Sequence, residues 1–266
     1  MKKRFKRIYV EILNYCNLNC PFCVKTKKKN KEMSTSEFSH ILDEIKPYTD
    51  YIYLHVQGEP LLHRNINEII NISKEKGFHI NLTTNGTLIN DSFDLSNIRQ
   101  INISLQAKYN DLNYYNNIIN LIKRNKDTYI SLRVWGSFDE SFAIKYFEEK
   151  LNTKCVKSPY GKSHKLLDRV FFSIDEEFTW PSLDLPFVSD VGTCEGGISH
   201  LGILSDGTVV PCCLDKDGVI SLGNIFTDSF EDILSSDRYV NYLTNLKCKK
   251  LSEELCKKCS YRTRFK

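Results

Sequence analysis

Three cysteines near the start of the chain, Cys16, Cys20 and Cys23, stand in the run Cys16-Asn17-Leu18-Asn19-Cys20-Pro21-Phe22-Cys23. Three thiolates at this spacing can wrap one cubane iron–sulfur cluster, whose four irons call for four ligands. The loop offers three, so one iron is left for a ligand that is not protein, and an open iron is a place for chemistry. The alternatives are a zinc site lacking its fourth ligand, or three buried thiols. A second group, Cys194, Cys212, Cys256 and Cys259, can supply all four ligands of another centre. Cys256-Lys257-Lys258-Cys259 is a close pair able to grip one metal. Zinc is the alternative here as well, although zinc ribbons use two close pairs and only one is present.

Composition is consistent with metal chemistry. The chain has 266 residues, 41% of them hydrophobic, ten cysteines and a net charge of +4. That length allows one large α/β domain and a small appendage. The basic start, Lys2 to Arg7, leads into too short an apolar stretch for a secretory signal. No run of about 18 apolar residues is present to span a membrane. Many cysteines without secretion point to cofactors in a reducing cytosol, not to disulfides. The basic run Lys25 to Lys31 lacks interleaved aromatics and reads as a solvated loop, not a nucleic-acid patch.

From residue 6 to about 175 the pattern alternates strand and helix. Strands are expected at 6–14, 51–57, 78–84, 100–106, 129–135 and 170–174. Phe78, Ile80 and Leu82 alternate with His79, Asn81 and Thr83, and Ile101, Ile103 and Leu105 with Asn102, Ser104 and Gln106. Period two gives one apolar and one polar face. Helices lie between: one capped by Ser34 and Glu37, one from about Asn65 to Gly77, one carrying Leu112 to Ile122, one carrying Phe142 to Leu151. Repeated βα units imply a parallel sheet with right-handed crossovers. Six strands close only part of a barrel, with a lumen too polar for a packed core. Residues 176–193 read as a linker. A hairpin turning at Asp206-Gly207 follows, then a short helix opened by Asp228 and Glu231. The fold class is therefore α/β: a partial (β/α)6 TIM-like barrel over 1–180 and a small cysteine-rich α+β domain over 181–266.

The cysteine loop follows the first strand, at the rim where barrel active sites gather. With its spacing, the chain resembles the radical S-adenosylmethionine (SAM) enzymes, with a C-terminal auxiliary domain of the SPASM/twitch kind. Gly58-Glu59-Pro60 after strand two resembles the family's GEP motif, and Thr84-Asn85-Gly86 after strand three its TNG turn. The stretch from Gly207 to Cys212, with four residues between, matches the SPASM pattern, and the short cysteine set is similar to the single-cluster twitch arrangement. The resemblance implies two [4Fe–4S] clusters and SAM. Cys16, Cys20 and Cys23 would hold the SAM-binding cluster and Cys194, Cys212, Cys256 and Cys259 the auxiliary one. SAM would be met by Phe22, Gly58, Glu59, Pro60, Asn85, Ser104 and Arg133. Gln57 departs from the glycine the family often has there.

The implied chemistry is cleavage of SAM to a 5′-deoxyadenosyl radical that abstracts hydrogen from a substrate carbon, with electrons from a flavodoxin or ferredoxin. Iron–sulfur clusters reach roughly −700 mV at their most reducing. A four-ligand auxiliary cluster would conduct electrons, so the first expectation is dehydrogenation of a small polar, sugar- or aminocyclitol-like substrate. A peptide-modifying enzyme or epimerase is the second. Only 15 residues precede Cys16, too few for a peptide-binding domain, and an epimerase would need a hydrogen donor such as Cys155 or Cys248. A non-enzymatic electron carrier is the third, and it has no use for SAM motifs. Cys213 is expected to pack in the hairpin core, and structural roles are expected for His55 and His63.

Overall fold

The computed structural model describes residues 3–158 and 163–264. All strands belong to one open sheet. Its parallel centre contains β1 (Arg7–Val10), β2 (Tyr51–Tyr53), β3 (His79–Thr84), β4 (Gln100–Ser104), β5 (Tyr129–Trp135) and β8 (Val170–Asp175), side by side in that order. These are the six expected strands, the first two shortened to 7–10 and 51–53. Beyond β8 the sheet continues antiparallel into β7 (Ser163–Leu167) and β6 (Val156–Lys157), a hairpin with no counterpart in the sequence reading.

At the other edge the C-terminal unit extends the same sheet. β9 (His200–Ile203) pairs in parallel with β1 along its whole length, Arg7 opposite His200 and Val10 opposite Ile203. β10 (Thr208–Val210) and β11 (Gly223–Asn224) follow antiparallel. The expected hairpin is there, but it is docked edge-on to the barrel and not folded apart from it.

Helices cover the apolar side. Ser34 caps α1 (Thr35–Ile45) in the expected capping box, and Phe38, Ile41, Leu42 and Ile45 bury themselves against the sheet. α2 (Ile66–Glu75), α3 (Leu112–Arg124) and α4 (Glu140–Leu151) complete the layer. Tyr115, Ile118, Ile119 and Ile122 of α3 and Phe147 of α4 are buried, whereas Leu112 and Phe142 at the helix starts are exposed. The short α5 (Phe230–Ser235) begins one residue later than its expected cap. Ser229 Oγ accepts from the Asp232 N–H at 3.1 Å, while Asp228 accepts from the Asn224 N–H. α6 (Asp237–Lys247) and α7 (Glu254–Lys257) finish the chain's helices.

The core lies between these helices and the apolar strand faces, with Ile8, Val10, Ile52, Ile80, Leu82, Ile101, Ile103, Ile130 and Leu132 fully buried. The other face of the same strands carries Tyr9, Tyr53, Thr83, Ser104 and Arg133. Period-two alternation thus separates a packed layer from a polar lumen, as the sequence implied. Among the described residues no helix is long and apolar enough to cross a membrane.

Candidate active site and auxiliary cysteine cluster

The loop after β1 is tied at its base before it reaches the cysteines. Asn14 Nδ2 donates to the Lys29 carbonyl at 2.9 Å, and its Oδ1 accepts from the Lys31 N–H at 2.8 Å. Tyr15 donates its hydroxyl to Glu32 at 2.6 Å. Within the loop the Cys23 N–H donates to the Cys20 carbonyl, and the Leu18 N–H points at Cys16 Sγ, 3.4 Å away. All three thiols are free and partly exposed. They stand at the rim of a cavity of about 310 Å³ in the lumen, lined further by His55, Gln57, Gly58, Glu59, Ser104 and Arg133.

The loop's basic half is exposed at Lys25, Lys27 and Lys29, as expected, but it is also anchored at two points. Lys28 pairs with Asp206 at 2.6 Å, and Asp217 accepts from Thr26 Oγ1 and the Lys27 N–H, both at 2.8 Å. The run Lys25 to Lys31 therefore docks on the C-terminal unit, whose acidic turn residues answer its charge.

Gly58 holds a backbone shape that only glycine tolerates there. Its φ is +78°, and a Cβ would stand 2.5 Å from the Leu13 carbonyl and 2.9 Å from that of Tyr15. Glu59 is buried with its carboxylate fully engaged: Oε1 accepts from Thr84 Oγ1 at 2.6 Å and the Leu61 N–H at 3.0 Å, Oε2 from the Asn85 N–H at 2.6 Å. Burial pushes this carboxyl up, and the three donors pull it back. Glu59 is thus a knot joining the β2 and β3 ends, with Pro60 buried beside it. Asn85 Nδ2 reaches Asn17 Oδ1 at 2.9 Å and Cys16 Sγ at 3.5 Å. Tyr114, which sequence reasoning missed in this role, donates its hydroxyl to the carbonyls of Asn85 and Ser104 at 2.8 and 3.1 Å. Ser104 and Arg133 are register partners on β4 and β5, so both side chains enter the lumen together. Phe22 packs its ring edge-on to Trp135 at 4.3 Å. Gln57 sits in ordinary backbone geometry, with its amide oxygen 3.8 Å from the Cys23 thiol.

His55 lines the same cavity with Nδ1 buried and unbonded. Burial, helped by the Arg133 charge, lowers its pKa to about 3, so it is neutral. His63, by contrast, bonds its Nε2 to the Met33 carbonyl at 2.8 Å, a structural role.

A second cavity, about 240 Å³, is lined by Cys194, Cys212, Cys256 and Cys259. Gly196 lets the chain pass close: a Cβ there would be 3.2 Å from Cys212 Cβ and 3.5 Å from Cys194 Sγ. Burial raises the Cys194, Cys212 and Cys256 thiols, and the charge of neighbouring cysteines adds to it, taking Cys256 to about 12. The two cavities share a wall made of Tyr9, Cys213, Leu214 and Tyr261. Cys213 packs against the hairpin residues Leu204 and Val210, as expected, and also borders the cavities. Its neighbour Cys212 faces only the second cavity, whereas Cys213 borders both. Cys155 packs beside Glu148 at the far end of α4, and Cys248 is exposed after α6; neither lines either of these two cavities. The stretch 176–193 has no helix or strand, yet it is more than a linker, since Phe178 and Trp180 line the first cavity and Pro181 the second.

Comparison with known proteins places these sites. Residues 10–133 match the radical SAM superfamily and residues 194–260 the SPASM iron–sulfur cluster-binding domain. A tungsten-containing aldehyde ferredoxin oxidoreductase cofactor-modifying protein of Pyrococcus furiosus is 32% identical over 104 residues, 38% of this chain and 29% of that protein. A GTP 3',8-cyclase of Synechocystis is 30% identical over 134 residues, 46% of this chain and 41% of that protein. The chain thus spans well under half the length of these curated relatives. Among solved structures, BtrN in complex with AdoMet and 2-DOIA superposes with a TM-score of 0.63 at 19% identity, covering 98% of this chain and 94% of that one. SuiB bound to its precursor peptide SuiA gives 0.62 at 17%, covering 96% and 71%.

The residues fit the cofactors these families carry. No three Cys, His, Asp or Glu side chains among the described residues converge on one point, as a single ion would need. The thiols instead stand around cavities, three at one and four at the other, the donor numbers that a cube with one open iron and a fully ligated cube require. Residues 10–133 are thus a radical SAM domain and residues 194–260 a SPASM domain, with S-adenosylmethionine, a SAM-binding [4Fe–4S] cluster and an auxiliary cluster as the cofactors these domains imply.

Proposed function

We propose that the chain is a dehydrogenase acting on a small polar substrate, sugar- or cyclitol-like, in the larger cavity. Residues 1–180 form the SAM-dependent unit and 181–266 the auxiliary unit in this reading. Cys16, Cys20 and Cys23 would hold the first cluster and Cys194, Cys212, Cys256 and Cys259 the second. When bound, these groups supply a one-electron, hydrogen-abstracting oxidant and a nearby electron acceptor. The observation that carries the reading is the shared wall of the two cavities: an electron leaving the substrate has only Tyr9, Cys213, Leu214 and Tyr261 to cross.

The chain's own residues divide the work. Gly58 keeps the backbone flush with the cavity, and Glu59, through Thr84 and Asn85, fixes the polar groups around SAM. Ser104 and Arg133 would take its polar and carboxylate groups, and Phe22 would flank its adenine with backbone atoms. Neutral His55, with its unbonded Nδ1, would orient a substrate hydroxyl. Phe22, Trp135 and Phe178 exclude water. A flavodoxin- or ferredoxin-type protein would deliver the electron. Anaerobic turnover with polyols tests the reading: an oxidised product equal in amount to 5′-deoxyadenosine is expected, and a redox-neutral product would overturn it.

Cys213 favours a second reading, a redox-neutral epimerase, because its thiol borders the larger cavity. In that case turnover in deuterated water labels the product, and Cys213→Ala abolishes the label. Under dehydrogenation the same variant still forms product.

A further inference from the structure

The stretch after β8 lines the larger cavity through Phe178 and Trp180; Ser137 and Trp135 at the end of β5 touch it, and the far end of the chain holds it as well. The Arg264 guanidinium donates to the carbonyls of Glu176 and Glu177 at 3.2 and 2.9 Å. The same guanidinium lies over the rings of Phe178 and Tyr261, 5.9 and 5.2 Å from their centroids. Phe178 packs edge-on against Tyr261 at 4.9 Å and at a tilt against Trp180 at 5.5 Å. Arg264 lines neither cavity. It closes the turn Tyr261–Arg264, which starts two residues after Cys259, a thiol of the auxiliary cavity.

We infer that Arg264 is a positioning residue that clamps the strap 176–180 over the larger cavity, and that the auxiliary cysteine pair, by fixing the turn which carries Arg264, sets the shape of the site where substrate binds. The physical reasoning is direct. Residues 176–180 are in neither helix nor strand, and two charge-assisted hydrogen bonds plus ring contacts from Arg264 bear on them. A strap held by a neighbouring cofactor loop is ordered only as well as that loop is ordered.

The inference rests on reading the larger cavity as the reaction cavity, and the two can fail separately. Calorimetric titration of the reconstituted wild type with SAM tests that reading alone. The clamp is tested in the strap itself. The chain has two tryptophans, Trp135 and Trp180, and both line this cavity, so intrinsic fluorescence reports on it without a label. In iron-matched holoprotein, Arg264→Ala is expected to raise amide exchange across 176–180 about tenfold and to make tryptophan more accessible to acrylamide, with the melting temperature within about 2 °C of wild type. Arg264→Lys is expected to recover part of the protection. A double Cys256→Ala, Cys259→Ala protein, still loaded at the first site, is expected to loosen the strap to a similar extent. Unchanged exchange and quenching in Arg264→Ala overturn the clamp. A strap that stays protected in the double variant overturns the link to the auxiliary site.

Discussion

Glu11 on the first strand's exit and Ser205 in the C-terminal hairpin turn are joined across 194 residues of sequence. Glu11 Oε2 accepts from both the N–H and the hydroxyl of Ser205, at 3.1 and 3.0 Å, while Oε1 accepts from the Gln57 N–H at 3.1 Å. One buried carboxyl thus binds the cysteine-loop strand, the segment before Gly58 and the auxiliary unit.

Replacing Glu11 with Ala leaves three buried donors unpaired and is expected to cost about 3 kcal/mol, read as a lower melting temperature. The pH dependence has a defined sign. Burial raises this carboxyl from 4.5 to about 7. A carboxyl raised in the fold contributes most below its unfolded pKa, and that contribution is lost as pH rises through about 7. Glu11→Gln stays uncharged and should remove this slope, so wild type and variant melting temperatures recorded from about pH 5 to about pH 8 are expected to run closest on the acidic side and to separate as pH rises, with wild type the one that falls.

Gly58→Ala forces a Cβ into two carbonyls at positive φ. A loss of about 2 kcal/mol or more is expected, because neither the φ nor the space can be recovered without moving the cysteine loop. Calorimetry of the iron-loaded variant with SAM is expected to show no binding.

Tyr114→Phe removes one hydroxyl that serves two carbonyls. Stability is expected to fall by about 1 kcal/mol, with weaker SAM binding, since the Asn85 turn and Ser104 lose their common tether. Unchanged SAM affinity would mean that the two backbone ends hold their places without it.

Iron content separates the two thiol sites. The wild type is expected to reconstitute with about eight irons per chain, and a Cys16, Cys20, Cys23 to Ala triple variant with about four. Mössbauer spectra of the remaining iron should then lack any response to SAM. A triple variant that retains a SAM-responsive cluster would assign that role to the C-terminal cysteines.

The barrel strands were readable because alternating residues announce a two-faced sheet: Ile80 and Leu82 toward the helices, Asn81 and Thr83 toward the lumen, needs no tertiary information. The cysteine spacings were readable for the same reason, since a loop carries its ligands in order. What the sequence concealed depends on distant partners. Glu11 interrupts the apolar run Ile8 to Leu13, a visible oddity, but its three donors come from Gln57 and from Ser205. Lys28 looks solvated until Asp206 arrives. Cys213 packs in the hairpin as expected, but strand alternation cannot say that two cavities meet at its position. Phe142 and Leu112 belong to the apolar series of their helices, yet they lie at the first turns and stay exposed, while Ile118 and Phe147 are buried.

The pairing of β9 with β1 has a consequence for anyone who would trim or recombine this chain. A version ending before residue 194 would leave β1 as a bare sheet margin, its amides and carbonyls open to the next molecule, beside the loop that holds the first three thiols. Such a fragment is expected to self-associate before it can be loaded with iron. Any transplanted tail must bring a strand of its own to seal that margin.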